Sequence, residues 1–291
     1  MNLENVITQS QSTNKIWINL IHYANQIFAN GSDDIWSNTT DFISVYSQGQ
    51  GLLKSDVLSI PVINVYQDFI NRREDIKEEW LGKDPTMIIG ELLALEEPKK
   101  FLYDVFEGLQ NLYMGAHPLV VELPSSQSWL QWLHRYVQPD QPVTIEEDDI
   151  EFVSMYLADY LQDFSTLKIS GLVIKEHEPI LEPSEILPLY QPVLNVVKHF
   201  QWVAGIDPGN KTSSTDDIND KVEFVLYEDS SIPEMKPYWE NEEKVGGGLN
   251  RDFWINAEGE VKLPSKGLAY GTIPPESNPE QVLTQLKLLR G

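Results

Sequence analysis

Several acidic residues in this 291-residue chain stand at the ends of short apolar runs. Glu122 closes Pro118-Leu119-Val120-Val121, Glu176 and Glu178 follow Gly171-Leu172-Val173-Ile174-Lys175, and Asp229 follows Val222 to Tyr227 and Glu228. Carboxylates brought together can divide acid and base work, or hold a divalent cation through oxygen ligands. On this reasoning Glu122, Glu176 and Asp229 are the candidate catalytic residues. His177, between Glu176 and Glu178, and Glu178 itself are candidate substrate contacts. Arg251 is one of only five arginines, stands in an acidic stretch behind Gly246-Gly247-Gly248, and can clamp a carboxylate bidentately. Tyr270, inside the last apolar run, is the remaining candidate contact. Each position also has a plainer reading: a strand-end acid caps the next helix, Arg251 pairs with Asp252, and Tyr270 fills the core. No metal ligand set is assigned, because five histidines are scattered and cysteine is absent. No cofactor is identified either, since the nucleophile elbow, the dinucleotide glycine fingerprint and the phosphate-loop lysine are all missing.

Helix and strand must alternate to position such groups. The clearest unit runs from Glu146 to Glu178. Ile150, Val153, Leu157 and Leu161 recur at helical spacing, acids fill the first turn, and Thr144 is a candidate cap. The apolar run Gly171–Ile174 then reads as a strand covered on both faces. Further strands are expected near residues 60, 120, 225 and 270, with two weaker candidates near 90 and 250. Pro61 places the strand near 60 at an edge or a strand start. The connections are long enough for crossover helices, which predicts a parallel sheet. About 250 residues suffice for a barrel of eight such units. The expected architecture is therefore one α/β domain over residues 1–291, a (β/α)8-type barrel, complete or distorted. Residues 1–55 are read as helices packed outside it, the first through Ile16, Leu20, Ala24 and Ile27. Residues 183–206 are read as a long helix with Pro188 and Pro192 as candidate break points, Gly246–Gly248 as a flexible turn, and 207–220 as a surface loop.

Composition bounds the partners. The formal charge is −24, from 45 acidic against 21 basic residues. Phosphate-bearing surfaces demand clustered lysine and arginine, so neither nucleic acid nor an anionic membrane is expected as a partner. A small molecule is. Without cysteine there are no disulfides, thiolate nucleophiles or Cys-ligated zinc. The start, MNLENVITQSQSTNK, lacks a basic-then-apolar signal, and no apolar run approaches the roughly 20 residues of a membrane span. A cytoplasmic protein is expected. Oligomeric state is not legible.

Three stretches carry a family resemblance. FLYDVFEGLQNLYMGAHPLVVELPSS (101–126), GLVIKEHE (171–178) and GLAYGTIPPESNPEQVLTQLKLL (267–289) resemble successive strand–helix steps of the superfamily containing uroporphyrinogen decarboxylase and cobalamin-independent methionine synthase. The resemblance implies a barrel with its site at the C-terminal strand ends, and chemistry of a decarboxylase-like lyase or a one-carbon transferase. This chain departs from the family in two respects. It has no cysteine for a methionine synthase zinc, and its first arginine is Arg72, too late for the arginine loop that grips porphyrinogen carboxylates. Those departures leave a second expectation, a catalytically silent barrel serving as a binding or scaffold protein. Convergent acids in a concave mouth would mark the enzyme, and dispersed acids over a filled mouth the scaffold.

Overall fold

The computed structural model describes residues 2–8, 15–209, 218, 220–256 and 267–290. Eight parallel strands form a nearly closed barrel: β1 (Lys15–Asn19), β2 (Leu58–Pro61), β3 (Leu119–Pro124), β4 (Gly171–Lys175), β5 (Val203–Asp207), β6 (Phe224–Tyr227), β7 (Val245–Gly248) and β8 (Leu268–Thr272). The hydrogen-bonded order is β1-β8-β7-β6-β5-β4-β3-β2, so β1 and β2 are the two ends of the ladder and meet at an unsealed seam. One backbone bond, Asp56 N–H to Ile16 O at 2.7 Å, and several side chains close that seam. Ile16 N–H donates to Asp56 Oδ2 at 2.9 Å and Ile18 N–H to Ser55 Oγ at 3.0 Å. Higher up, Ser59 Oγ accepts from Trp17 Nε1 and donates to Asn19 Oδ1. Pro61 ends the edge strand β2, as its missing N–H requires.

The side chains of each strand alternate between two separate apolar clusters. Trp17, Val57, Val120, Val173, Phe224, Leu226, Leu268 and Tyr270 fill the barrel interior. The N-terminal helix Leu3–Ile7 caps the interior from below with Leu3, Val6 and Ile7. The larger cluster lies between the barrel and the outer helices. Small residues stand where the interior is crowded. A Cβ on Gly205 would lie 2.2 Å from the Phe224 ring, and one on Gly246 2.7 Å from Leu226.

The strands near 60, 120, 171, 225 and 270 stand where the sequence predicts them, and the candidate near 250 is β7. Five expectations are corrected. The first helix is a strand, β1, followed by the helix Ile21–Ala29. The barrel therefore begins at Lys15 and not at residue 56. Ile16, Leu20 and Ala24 satisfy helical spacing, but Ile16 and Ile18 face the outer layer while Trp17 faces inward, which is strand alternation with both faces buried. The long helix over 183–206 stops at His199. Gln201 turns the chain with φ 59° and β5 follows. The triple glycine is strand β7, where small residues admit Leu226 and Leu268. The segment near 90 is a helix, Pro85–Leu93. In the central unit the cap is Glu146, reciprocated by Asp149, rather than Thr144. Most of the 207–220 loop lies outside the described residues. Among the described residues no helix is long and apolar enough to cross a membrane.

Candidate functional site

The alternation that fills the interior also delivers polar groups to its C-terminal end. Two residues beyond Val120, Val173, Gly205, Leu226 and Tyr270 stand Glu122, Lys175, Asp207, Glu228 and Thr272. They meet around one amine. Lys175 Nζ lies 2.6 Å from Glu228 Oε2, 3.7 Å from Asp207 Oδ2 and 3.9 Å from Glu122 Oε2. It also donates to Tyr270 OH at 3.3 Å, and that oxygen accepts from Asn19 Nδ2 at 3.1 Å. Glu228 is anchored from the other side by Thr272 Oγ1.

The electrostatics follow from burial and from this packing. Desolvation opposes the Lys175 ammonium, but Tyr270 and the carboxyls of Glu228, Glu122 and Asp207 hold its pKa well above the usual lysine value. Desolvation would raise Glu228 as well. Lys175 outweighs it, through charge and a hydrogen bond, so Glu228 stays below its ordinary range and is a carboxylate at neutral pH. Desolvation wins at Glu122, which is raised, and at Asp207, which is raised to about 7. Glu122 Oε1 finds no hydrogen-bond partner among the described residues. One firm ion pair is therefore surrounded by two carboxyls that hold protons more tightly than exposed acids do.

Glu122, Lys175, Glu228 and Thr272 of this cluster form the floor of a cavity of about 430 Å³. Its walls are the starts of two helices on either side of the seam, with Ile21 and His22 on one and Ile63, Asn64 and Gln67 on the other. Ser128, Gln131, Trp132 and Arg135 of the helix Ser126–Val137 complete it. His22 contacts Asn64 across the seam, and burial lowers its pKa. A second cavity, of about 100 Å³, lies behind the amine and is lined by Glu176, Asp207, Gly209, Tyr227 and Asp229. Lys175, His177 and Glu228 border both.

The expected site residues divide accordingly. Glu122 belongs to the floor, Tyr270 is buried behind it and bonded to Lys175 and Asn19, and His177 and Glu178 line the large cavity, where Glu178 pairs with Arg135 at the rim. The pKa of His177 is lowered by burial and by Lys175. Glu176 faces the other way. It is buried beneath the β3 and β4 ends, accepting hydrogen bonds from Ser125 Oγ and Gln127 Nε2, each at 2.6 Å, and from Tyr190 OH. Asp229 is exposed and borders only the small cavity; its neighbour Glu228 occupies the position expected of it. Arg251 lines neither cavity, is exposed, and pairs with Glu276. Lys175, Asp207, Glu228 and His22 are site residues that the sequence does not single out. Among the described residues no set of three or more histidine, aspartate or glutamate side chains is arranged to hold a metal ion. Where the carboxyls converge, the Lys175 ammonium occupies the centre.

These features define a (β/α)8 barrel with a polar cluster at its C-terminal mouth, where barrels of this kind carry their sites. No family model matches the chain, and no curated protein does. Among solved structures, a methyltransferase from Methanosarcina mazei superposes with a TM-score of 0.63 at 10% sequence identity, over 98% of this chain and 96% of that one. A dihydrodipicolinate synthase from Oceanobacillus iheyensis aligns at a TM-score of 0.40 and 16% identity, over 97% of this chain and 74% of that one. The likeness to the methyltransferase supports the barrel fold.

Proposed function

We propose that the protein is a small-molecule enzyme of the lyase type that decarboxylates a small organic acid at the barrel mouth. The observation that carries this reading is Lys175 Nζ within 3.9 Å of three carboxyls on the floor of a concave cavity. A scaffold has no use for so costly a buried cluster. In this reaction the bond between carbon and carboxylate breaks, carbon dioxide leaves, and the electron pair left on carbon takes up one proton. The Lys175 ammonium stabilises the negative charge as it develops and is the proton donor, while Glu228 keeps the amine oriented. Glu122, whose carboxyl burial holds above its ordinary range, stands at the adjacent wall. Glu176 is a positioning residue, tying the start of the helix that carries Ser128 to the segment after β4 that carries His177.

The architecture resembles the uroporphyrinogen decarboxylase superfamily, but the catalytic groups are this chain's own. Lyase chemistry is favoured over one-carbon transfer because proton-handling groups crowd the floor and the chain has no thiol. The test is a panel of small carboxylic and oxo acids incubated with the protein in D₂O. Carbon dioxide release and deuterium incorporation are read by NMR, and ligand binding by the rise in Tm. Turnover is expected for at least one acid, falling by about 10²–10³-fold or more in Lys175→Met. If no acid turns over and none raises Tm, the scaffold reading replaces this one.

A further inference from the structure

The large cavity does not reach Asp207. That residue is 3% exposed, lies 3.7 Å behind Lys175 Nζ, and borders only the small cavity, with Oδ1 accepting from Gly209 N–H at 3.2 Å. Lys175, His177 and Glu228 form the partition between the two spaces, since they alone line both. The small cavity has volume for several water molecules, polar groups to hold them, and the exposed Asp229 at its border.

We propose that Asp207 and the small cavity form a proton antechamber, which resupplies Lys175 with protons from solvent while substrate fills the large cavity. The inference rests on the lyase reading above. Decarboxylation consumes one proton per turnover, and a substrate seated on the floor blocks the direct path from water. When Lys175 gives its proton to the substrate carbon, the amine recovers one from the Asp207 carboxyl. The resulting carboxylate is reprotonated by water in the antechamber. No other co-reactant is needed.

The groups facing Asp207 agree with this role. Lys175 on β4 attracts its charged form, whereas Glu228, just past β6, and Glu122 on β3 disfavour it; Tyr270, on β8, is part of the same field. Glu176, His177, Gly209, Tyr227 and Asp229 line the remaining walls. Burial is the largest influence, and Asp207 titrates at about 7, where a carboxyl can both give and take a proton.

The test uses the resting protein without ligand, so its outcome is independent of whether any acid is a substrate. Protein labelled with ¹⁵N-lysine gives the exchange rate of the Lys175 ammonium protons with water, the signal being assigned by its loss in Lys175→Met. Without substrate the large cavity also admits water to Lys175, so hydroxide-catalysed exchange rising tenfold per pH unit is present, and exchange through Asp207 adds to it a component that levels off above about pH 7, once the carboxylate is fully formed. Asp207→Asn should remove that component and slow exchange about tenfold near pH 7. Should Asp207→Asn fail to fold, the wild-type profile still decides. Exchange that rises tenfold per pH unit throughout, or is unchanged in Asp207→Asn, overturns the antechamber.

Discussion

Lys175 is balanced by three carboxyls, so its loss should be felt in stability as well as chemistry. Lys175→Met leaves Glu228 without its cation, and breaking a buried pair in this way costs about 3–5 kcal/mol. Urea denaturation should show that loss at pH 8 and a smaller one at pH 5, where the orphaned carboxyls can take up protons. Asp207 has the opposite sign. Its folded pKa of about 7 lies above the ordinary 3.8, so the fold favours the protonated form, and this residue's contribution to stability falls as pH rises from about 4 to 7. Asp207→Asn mimics the protonated form. It should raise Tm at pH 8 and leave it nearly unchanged at pH 4.5; a lower Tm at pH 8 would mean that Lys175 outweighs burial at this carboxyl. The sequence points to the strand ends that meet at the mouth but not to every side chain that gathers around Lys175. Glu122 is legible. Glu176 stands out over Lys175, and Asp229 over Glu228, because each buried strand is apolar on both faces. With Leu172, Val173 and Ile174 all hydrophobic, nothing tells which is inward, and a slip of one residue exchanges the inner and outer sets.

At the scale of elements, strands are legible where apolar runs are flanked by turns and hidden where they are not. KIWIN and VAGID are five residues each, joined closely to helices, and their apolar residues fall at spacings a helix also satisfies. Glycine reads as a turn signal, whereas β7 uses it to make room for Leu226 and Leu268. The same crowding gives a direct prediction. In Gly205→Ala the new methyl would lie 2.2 Å from a Phe224 ring that has no exposed surface into which to move. A loss of about 1–3 kcal/mol in chemical denaturation is expected.

For the whole molecule, a charge of −24 and a mouth bordered by Glu122, Glu178 and Glu228 predict rejection of polyanions. Calorimetric titration with coproporphyrinogen or a tri-glutamyl folate at moderate ionic strength should show no saturable binding. Micromolar affinity for either would show that Lys175 and Arg135 dominate the mouth. Circumference is a property only the whole barrel has, and in this chain backbone does not fix it all the way round. Seven junctions are ladders, while the eighth is held largely by Ser55, Asp56 and Ser59, directly below the two helix starts that wall the large cavity. Mechanically the barrel is a split ring, whose bore can widen by breaking a few side-chain bonds at the gap, each worth on the order of 1 kcal/mol net. The Ile16 and Ile18 amides, which donate across that gap, should therefore exchange with solvent sooner than the amides of β4. A ligand that spans the gap should slow them, acting as the clasp that sets the diameter of the ring.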